Sequence, residues 1–449
     1  MRKGNRILSG LLALVMAAVM LLCPAEAITY EPDFTPTSKA VYLENLDTGL
    51  ILYEKNADEK MYPASLTKIM TAIVVLENVK DLDGETAEYP MWIQNMLYGT
   101  NASLGGLIVG EELTIRQLLT SALVQSGNES AMILAGYVGS GGMADFMPRD
   151  ITTFVEMMND KAKALGCTDT HFTNPTGLHS DNTYTTARDM AIMAKYAMQK
   201  SAFSSIVKNY AVQLGQTNKH ADLWQYSTNK MLLTSSPYYY APVVGIKTGS
   251  TDEAGRCVIS QAEDSGYHYF CVVMGSPVTA AEPYQNFIET RQLYRWAFGN
   301  FSLRTLLEQG ELMAEVPVKY SGDGKVAKLA IKEDVVQLLR DDISLDSIIY
   351  KAELPEFVEA PIAAGDTVGK MHIMLMGEEI GTVELVATHD FSLSWFRKAL
   401  GTIGSLLSST VAKVIFIVVV LAIAGYIVYA VRHNKKRKKH RSKYSDRNY

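Results

Sequence analysis

The clearest hydrophobic pattern in the chain is a pair of apolar runs, one near each end. The first extends from Ile7 to Leu22, follows three basic residues and precedes Ala25-Glu26-Ala27. A basic start, an apolar run and small residues two positions apart are typical of a secretory signal peptide, which we assign to residues 1–27. An uncleaved membrane helix is the alternative, but 16 residues are short for a bilayer.

The second apolar run, Val414 to Val431, contains 18 residues and no charge. As a helix it would rise about 27 Å, enough to cross the hydrocarbon core of a membrane. Residues 432–449 then carry nine basic side chains and one acidic one. Because such basic segments remain on the cytoplasmic side, we predict a transmembrane helix at 414–431, a cytoplasmic tail at 432–449 and an extracytoplasmic bulk. In this position the basic run is explained by anionic lipid, and nucleic-acid binding is not expected.

The pattern between the two runs predicts an α+β fold. Ala40 to Glu54 is typical of a hairpin, with two apolar strands around a turn at 47–49. Pro63 then begins a helix, and the continuation of that helix, Ile69 to Leu76, is apolar on every side and is therefore predicted to be buried. Further helical patterns cover Thr114–Leu123, Ala131–Tyr137, Thr152–Leu165, Thr186–Met198 and Tyr284–Phe298, and strand patterns cover Val243–Ile246, Gly255–Gln261 and Tyr267–Met274. This order predicts one antiparallel sheet flanked by helices.

After about Leu306 the pattern changes to short strands, with helical periodicity only from Lys332 to Leu339. We therefore predict a larger α+β domain at 28–304, a small β-rich domain at 305–390 and a juxtamembrane linker at 391–413. Within that linker, Phe391 to Lys398 is amphipathic and is either an ordinary connection or a segment that lies at the outer membrane interface.

Charge and cysteine content narrow the possible partners and the means of stabilisation. Residues 28–431 contain 30 basic and 46 acidic residues, so this part carries a net charge of about −16 and is not expected to bind a polyanion.

Only Cys167, Cys257 and Cys271 remain after the predicted signal peptide, too few for a disulfide scaffold. A hairpin turned at 263–266 would set Cys257 nearly opposite Cys271. A bridge is possible there, but two buried thiols are favoured because directly opposed strand positions seldom suit disulfide geometry.

The first candidate for chemistry is a Ser-x-x-Lys motif, which occurs three times, starting at Ser65, Ser205 and Ser227. Only Ser65 stands in the first turn of a strongly apolar helix behind a proline, with Lys68 on the same helix face. Backbone N–H groups at a helix start stabilise an oxyanion, and a lysine in a dry site near a second cation acts as a base. A capping serine beside a solvated lysine is the plain structural alternative.

Two shorter motifs complete the set. Ser-x-Asn occurs at Ser126, Ser180 and Ser227, whereas Lys-Thr-Gly occurs once, at Lys247-Thr248-Gly249. The latter follows the apolar run 243–246, so we expect Lys247 to project from a strand edge toward a cleft. Gly249 has no side chain and is expected to let a substrate backbone approach closely.

The order Ser65-x-x-Lys68, Ser126-x-Asn128, Lys247-Thr248-Gly249 resembles the penicillin-binding protein and serine β-lactamase superfamily. More narrowly, the chain resembles the low-molecular-mass D-alanyl-D-alanine carboxypeptidases. Further matching segments are Tyr62-Pro63-Ala64, Asn174-Pro175-x-Gly177-Leu178, Thr186-Ala187-Arg188-Asp189-Met190 and Gly245-Ile246. The resemblance is strong from about Ser38 to Asn300 and implies a β-lactamase/transpeptidase-like fold.

The resemblance implies the following reaction. Ser65 would attack the D-Ala-D-Ala carbonyl of a peptidoglycan stem peptide, Lys68 would act as base, and Ser126 would relay the proton to the leaving D-alanine. Water would then release the acyl-enzyme, and β-lactams would acylate the same serine as covalent inhibitors. No cofactor and no metal are implied.

The resemblance also implies substrate-binding residues. Asn128 would orient the substrate amide, Lys247 and Thr248 would bind the terminal carboxylate beside Gly249, and the backbone N–H of Ser250 would complete the oxyanion site with that of Ser65. Arg188 matches a family position, but a structural ion pair with Asp189 or another acid is an equal alternative. Some family members carry a further arginine in the segment corresponding to 276–286, where this chain has none.

Other functions remain as alternatives. A D,D-transpeptidase or endopeptidase and a β-lactamase share the three motifs, and a catalytically silent wall-binding protein would share the fold. A Ser-His-Asp hydrolase is not supported because Gly-x-Ser-x-Gly is missing from the sequence. A zinc peptidase is not supported because the eight histidines include no His-Glu-x-x-His motif.

Overall fold

The computed structural model describes residues 30–408 and 410–445, which form two compact units. One comprises the described residues up to Ser302 together with Leu338–Asp342, and the other comprises Leu303–Gln337 and the described residues from Ile343 onward. The predicted signal peptide lies outside the described residues.

The first unit is built on a five-stranded antiparallel sheet with the strand order β2-β1-β9-β8-β7. The strands of this unit, in chain order, are β1 (Ala40–Asn45), β2 (Ile51–Lys55), β3 (Thr86–Glu88), β4 (Glu112–Thr114), β5 (Ala211–Gln213), β6 (Trp224–Tyr226), β7 (Lys247–Thr251), β8 (Gly255–Asp264) and β9 (Tyr267–Ser276). β3 pairs with β4, and β5 pairs with β6.

Helices cover both faces of this sheet, as the α+β prediction requires. They are α1 (Lys68–Asn78), α2 (Met91–Leu97), α3 (Ile115–Thr120), α4 (Asn128–Gly139), α5 (Pro148–Ala164), α6 (Ala187–Met198), α7 (Ser201–Val207) and α8 (Gln285–Asn300). Alternate residues of β9 divide between the faces: Phe270, Val272 and Met274 join the large core that includes α1 and α4. On the other face, the Tyr294 hydroxyl of α8 donates to the Ser260 carbonyl at 2.7 Å.

Local sequence signals account for the hairpins and for the buried helix. Asp264 stands opposite Tyr267, and the two connecting residues, Ser265 and Gly266, both have positive φ, as two-residue hairpin turns of this hand require. In α1, every residue from Lys68 to Val75 is buried, which confirms that its all-round apolar pattern marks a core helix.

Two sequence-based predictions in this unit are wrong. Residues 243–246 are not a strand, apart from an isolated bridge between Val243 and Ala262, and the strand begins at Lys247 itself. The cysteines of the β8–β9 hairpin are not opposed either. Because the turn has two residues, Cys271 pairs with Ser260, whereas Cys257 lies at a bulge and faces Gly249 of β7. The favoured alternative is confirmed, since both cysteines are buried and unbridged.

The second unit is rich in short strands. Its strands are β11 (Leu312–Lys319), β12 (Val326–Ile331), β14 (Ile348–Glu353), β15 (Val358–Glu359), β16 (Thr367–Leu375) and β17 (Glu378–Ala387), which form one six-stranded sheet. β10 (Phe301–Leu307) and β13 (Val335–Arg340) pair with each other in a two-stranded sheet. The helical periodicity noted at 332–339 is therefore misleading, because most of that segment is strand β13.

The last two helices of the described residues are α9 (Trp395–Ser408) and α10 (Thr410–Ser445). Trp395 and Phe396 of α9 are exposed. Within α10, Lys413–His433 is long and apolar enough to cross a membrane, and it includes the predicted span 414–431.

Candidate active site

Ser65 lies in a short 3-10 turn, Ala64–Thr67, that leads directly into α1. Pro63 precedes the turn, where its fixed φ suits a helix start and its missing N–H leaves no unpaired donor. Ala64 has a φ of 47°, a region that residues other than glycine seldom occupy and that is frequent beside reactive groups. The serine is thus presented at the head of the buried helix, as predicted.

Lys68, one turn after Ser65, is completely buried, and its ammonium nitrogen has three oxygen neighbours. Nζ lies 3.0 Å from Ser65 Oγ, 2.7 Å from Asn128 Oδ1 and 2.7 Å from the Thr176 carbonyl oxygen. Burial and the nearby charge of Lys247 hold the pKa of Lys68 well below its usual value, against an opposing effect of Glu129. These conditions favour the neutral amine.

The neighbours of Lys68 also determine where its lone pair points. A neutral amine has two hydrogens and one lone pair. The Asn128 and Thr176 oxygens only accept hydrogen bonds, whereas the Ser65 hydroxyl both donates and accepts. Neutral Lys68 therefore donates to the two carbonyl oxygens and accepts from Ser65, which is the arrangement needed to remove the serine proton.

The loop that supplies the Thr176 carbonyl is the Asn174-Pro175-x-Gly177 segment. Asn174 Oδ1 accepts hydrogen bonds from the Thr176 and Gly177 backbone N–H groups, at 3.1 and 2.7 Å. Thr71 of α1 donates its hydroxyl to the Pro175 carbonyl at 2.7 Å. The segment is thereby fixed against α1, and this explains why a turn so distant in sequence accompanies the nucleophile.

Ser126 and Asn128 reach the site through an irregular helix junction. After α3 the chain forms one π-helical turn, Ser121–Gln125, and Ser126 then adopts a left-handed conformation with φ 66° before α4 begins at Asn128. Irregularities of this kind are often found at functional sites. Both residues are buried, and Ser126 lines the same cleft as Ser65.

Lys247 and Thr248 open β7, the edge strand of the sheet. Lys247 is buried, which lowers its pKa to about 7, and its Nζ donates to the Thr248 carbonyl at 3.1 Å. The Thr248 hydroxyl lies 2.5 Å from that of Thr228. The Lys-Thr-Gly motif therefore forms the first three residues of the strand that lies beside the nucleophile.

Gly249 lies close to the turn that carries Ser65. A β-carbon at this position would stand 2.9 Å from the Pro63 carbonyl oxygen and 3.2 Å from the Leu66 nitrogen. The missing side chain thus allows β7 to lie against the residues that flank Ser65. This packing role is a second reason for glycine at position 249, and the space that it leaves for a substrate backbone stays a prediction.

The cleft has two arms that meet at Ser65, Ser103 and Ser250. One, here named the Tyr284 arm, has a volume of about 380 Å³ and is lined by Ser126, Thr248, Lys230, Arg256 and Tyr284 among others. The other, the Glu253 arm, has about 390 Å³ and includes Asn128, Gly177, His179, Asp252 and Glu253. The charged residues therefore differ in sign between the arms.

Some candidate residues lie elsewhere. The Arg188 guanidinium pairs with Asp58 at 2.7 Å and with Glu54 at 2.8 Å, not with Asp189, which agrees with the ion-pair alternative. Ser205, which begins another Ser-x-x-Lys motif, is exposed on α7. Across residues 30–408 and 410–445, no group of three or more His, Cys, Asp or Glu side chains is placed to hold a metal ion.

Sequence reasoning missed several residues of the cleft. The Thr176 carbonyl has no side-chain signature, although the Asn-Pro-x-Gly motif beside it was a usable signal. Thr228 belongs to the Ser227-Thr228-Asn229 repeat of the Ser-x-Asn pattern, and both Ser227 and Thr228 line the cleft. Arg256 required the strand register, which no motif gives.

Comparisons with known proteins agree with this geometry. A family model described as D-alanyl-D-alanine carboxypeptidase matches residues 26–278, and one described as the C-terminal domain of penicillin-binding protein 5 matches residues 301–392. D-alanyl-D-alanine carboxypeptidase DacF of Bacillus subtilis is 29% identical over 396 residues, covering 86% of this chain and 95% of the relative. The D-alanyl-D-alanine carboxypeptidase of Streptomyces strain K15 is 34% identical, covering 59% and 88%.

Solved structures show the same relationship. Penicillin-binding protein 5 of Haemophilus influenzae has a TM-score of 0.60 at 27% identity, covering 81% of this chain and all of that one. The Streptomyces K15 DD-transpeptidase has a TM-score of 0.54 at 30% identity, covering 59% of this chain and 98% of that one. With more than half of its length matched by the carboxypeptidase model, the chain belongs to the D-alanyl-D-alanine carboxypeptidase family and is a serine peptidase of the low-molecular-mass penicillin-binding protein group.

Proposed function

We propose that Ser65 is the nucleophile with which this chain removes the terminal D-alanine from peptidoglycan stem pentapeptides. The observation that carries the proposal is the 3.0 Å separation between Ser65 Oγ and the buried Lys68 Nζ. The two other oxygen neighbours of Lys68 leave its lone pair for the serine proton.

Each step then uses a residue of the cleft. Ser65 Oγ attacks the carbonyl carbon of the penultimate D-alanine while its proton passes to Lys68. The backbone N–H groups of Ser65 and Ser250 stabilise the resulting oxyanion. As the carbon–nitrogen bond breaks, Ser126 relays the proton from Lys68 to the departing D-alanine nitrogen. Water then attacks the ester on Ser65, and Lys68 takes its proton and returns it to Ser65.

Substrate binding is assigned to the remaining residues of the three motifs. Lys247 and Thr248 bind the terminal carboxylate, and Asn128 both orients the substrate amide and holds Lys68. Gly249 leaves room for the substrate backbone and also lets β7 lie beside the nucleophile turn. These assignments are supported by the position of Ser65, Ser126 and Thr248 along the same arm of the cleft.

Covalent labelling by a fluorescent penicillin tests the nucleophile. We expect the full-length protein in detergent to be labelled and Ser65→Ala to lose the label. Ser205→Ala is the matched control, because Ser205 also begins a Ser-x-x-Lys motif but is exposed on α7. Persistent labelling of Ser65→Ala would refute the assignment.

Peptide hydrolysis tests the activity itself. A pentapeptide ending in D-Ala-D-Ala should release free D-alanine, whereas the same peptide ending in L-Ala-L-Ala should release no alanine. A folded protein that is labelled by penicillin but releases nothing from the D,D peptide would contradict carboxypeptidase action.

A transpeptidase is the second candidate, since the structural neighbour from Streptomyces K15 is a DD-transpeptidase. The two reactions differ in the acceptor of the acyl group. Adding a peptide amine acceptor would divert product from hydrolysis to transfer in a transpeptidase, and we expect hydrolysis to dominate. A β-lactamase would instead hydrolyse its penicillin adduct rapidly, so a long-lived adduct counts against that activity.

The proposed location is the cell membrane, with the catalytic domain outside and the C-terminus in the cytoplasm. Support comes from the apolar stretch Lys413–His433 and the basic residues after it. In intact protoplasts, added protease should remove the catalytic domain but leave a C-terminal epitope protected. Sequencing the mature N-terminus should give a start near Ile28. A digested epitope would show the opposite orientation.

A further inference from the structure

Glu129 is a buried acid that none of the proposed reaction steps uses. It follows Asn128 directly in the first turn of α4, and only 1% of its surface is exposed. Its Oε1 accepts a hydrogen bond of 2.6 Å from the Gly105 backbone N–H, whereas its Oε2 is buried without a partner among the described residues. No other carboxylate oxygen in that part of the chain is buried and unpaired. Because a buried unpaired polar atom is unfavourable, a functional reason for keeping this acid is expected.

Two lysines of the site are buried without an acidic partner. Lys68 and Lys247 are 0% and 1% exposed, and within residues 30–408 and 410–445 they donate only to neutral oxygens. A buried ammonium group is unfavourable unless an opposite charge compensates it. Transfer of the Ser65 proton creates such a group on Lys68 in each acylation. A fixed carboxylate near Lys68 therefore lowers the energy of the state through which acylation passes.

The structure connects Glu129 to Lys68 through the Ser-x-Asn turn. Asn128 Oδ1 accepts from Lys68 Nζ at 2.7 Å, and Glu129 is the next residue in the same helix turn. A β-carbon on Gly127, the central residue of the motif, would stand 3.2 Å from Glu129 Oε2. The unpaired oxygen thus lies against the turn that supplies Asn128, while the Gly105 N–H holds the other oxygen in place.

We infer that Glu129 is a positioning residue for the base: its carboxylate, held against the Ser-x-Asn turn, stabilises the ammonium form of Lys68 that arises when Ser65 loses its proton. The inference rests on the proposed roles of Ser65 and Lys68. Both Glu129 and Lys68 are withheld from water, so their interaction is only weakly screened.

The charges around the pair act in the required sense. Burial and the charge of Lys247 lower the pKa of Lys68, and Glu129 raises it. Burial raises the pKa of Glu129, whereas hydrogen bonds from backbone N–H groups, among them that of Gly105, and the charge of Lys68 lower it. Tyr89 also faces Glu129, but burial and this acid raise the pKa of Tyr89 to about 12, so the phenol stays neutral. Glu129 and Lys68 therefore favour each other's charged form.

The pH profile of acylation by a fluorescent penicillin tests the inference, with the full-length protein in detergent between about pH 5 and 10. Glu129→Gln keeps an acceptor for the Gly105 N–H but removes the charge. The rising limb, which reports loss of the proton from Lys68, should therefore move to lower pH by about one unit. The weaker base should also slow acylation above the limb by about threefold. The variant is then faster than the wild type at acid pH and slower at alkaline pH, whereas damage to the fold would slow acylation at every pH.

Two further variants serve as controls. Glu129→Asp keeps the charge but shortens the reach to Gly105, so its rising limb should stay at the wild-type position even if acylation slows. Glu111→Gln is the matched control, because Glu111 is also a buried acid, with Thr217 Oγ1 at 2.6 Å and His220 Nδ1 at 2.8 Å, but lines neither arm. Its rising limb should also stay in place.

Thermal unfolding shows whether each variant is folded. If Glu129→Gln is not, the similarly sized and uncharged Glu129→Met replaces it, with a shift in the same direction. A rising limb that does not move in the folded variant overturns this inference alone, whether or not the rate falls. A wild-type protein that is not labelled by penicillin overturns the proposed function instead.

Discussion

The α-carbon of Gly177 lies so close to the backbone of Ala64 that a β-carbon on it would stand 1.8 Å from the Ala64 carbonyl oxygen. Gly177 also has a φ of 80°, where side chains are strained. The turn that carries the Thr176 carbonyl thus meets the turn that carries Ser65 at a point where only hydrogen fits. The contact therefore packs the turn whose carbonyl accepts from Lys68 directly against the turn that carries the serine.

The first prediction is that Gly177→Ala damages both stability and acylation. Relief of the clash must move the Thr176 carbonyl, the Ala64 turn, or both. We expect a stability loss of about 3 kcal/mol from overpacking and strain together. Penicillin acylation should slow by at least about tenfold, because a small misplacement of a catalytic base is expensive. Thermal unfolding and the rate of label incorporation measure the two effects.

Gly166→Ala is the control for this prediction. Gly166 has a nearly identical φ of 85°, but an added β-carbon would meet no heavy atom within 4 Å. Gly166→Ala should therefore lower the stability only by the strain of an alanine at positive φ, about 1 kcal/mol, and should leave the acylation rate unchanged. Equal effects of the two substitutions would show that the contact with Ala64 is unimportant.

The sequence predicted this site to different degrees at different residues. Ser65 and Lys68 are three positions apart on one helix, so their proximity follows from local geometry alone. The roles of Asn128 and Lys247 were predicted from the family resemblance. Their contacts, such as that between Lys68 Nζ and Asn128 Oδ1, come from the structure, because motif spacing gives no distances. The Thr176 carbonyl could not be foreseen, because a backbone oxygen leaves no mark in a sequence and its effect depends on a loop 108 residues from Lys68.

The errors have physical causes as well. Residues 243–246 were assigned to a strand because they are apolar. Val244 and Ile246 do donate backbone hydrogen bonds to carbonyls of β8, at 3.0 and 2.8 Å, but Gly245 between them breaks the regular strand conformation. Asn229 donates to the Gly245 carbonyl at 3.2 Å, and Gly245 has a φ of 128°, which no strand residue adopts. The position of Arg256 in the cleft depends on which residue of β7 lies opposite it, and register is fixed by the whole sheet rather than by a local motif.

A second prediction concerns the pH dependence of activity. Lys68 must be neutral to accept the serine proton, so kcat/KM rises with pH through its lowered pKa. Lys247 must be protonated to bind a carboxylate, so kcat/KM falls as pH rises through the Lys247 pKa, which burial lowers to about 7. Lys247→Arg should move the falling limb to higher pH, because a guanidinium remains charged. Initial rates of D-alanine release between pH 5 and about 10 give the profile.

Lys208→Arg is the control for the pH profile. Lys208 ends the exposed Ser205-x-x-Lys motif, and its replacement should leave both limbs in place. A falling limb that stays where it is in Lys247→Arg would show that another group controls it.

A third prediction separates Arg188 from catalysis. Its guanidinium makes two hydrogen bonds to Asp58 and one to Glu54, joining α6 to the β2 region. Arg188→Gln should lower the free energy of unfolding by about 1 kcal/mol, as expected for a well-oriented but partly exposed ion pair. D-Alanine release should remain within about twofold of wild type, because Arg188 does not line either arm.

Arg149→Gln provides the comparison for Arg188. The Arg149 side chain is 83% exposed, and its one ion-pair contact, with Asp150, is 3.7 Å long. Its replacement should change stability by less than about 0.5 kcal/mol. A large loss of D-alanine release in Arg188→Gln, without a loss of stability, would instead place Arg188 in substrate recognition.

The final prediction is that Lys247 makes the protein less stable at neutral pH than at alkaline pH. Below the folded-state pKa of about 7, the amine is protonated in both the folded and the unfolded chain, so the penalty for burying its charge is constant. Between about pH 7 and 10.4 the unfolded chain binds more protons than the folded one, so stability rises with pH by at most roughly 1.4 kcal/mol per unit. Lys247→Met lacks this titration. The melting temperature of the wild type should therefore rise relative to that of Lys247→Met as pH increases from 7 to about 10, and a difference that stays flat or falls would show that Lys247 is not buried as a charge in the folded protein.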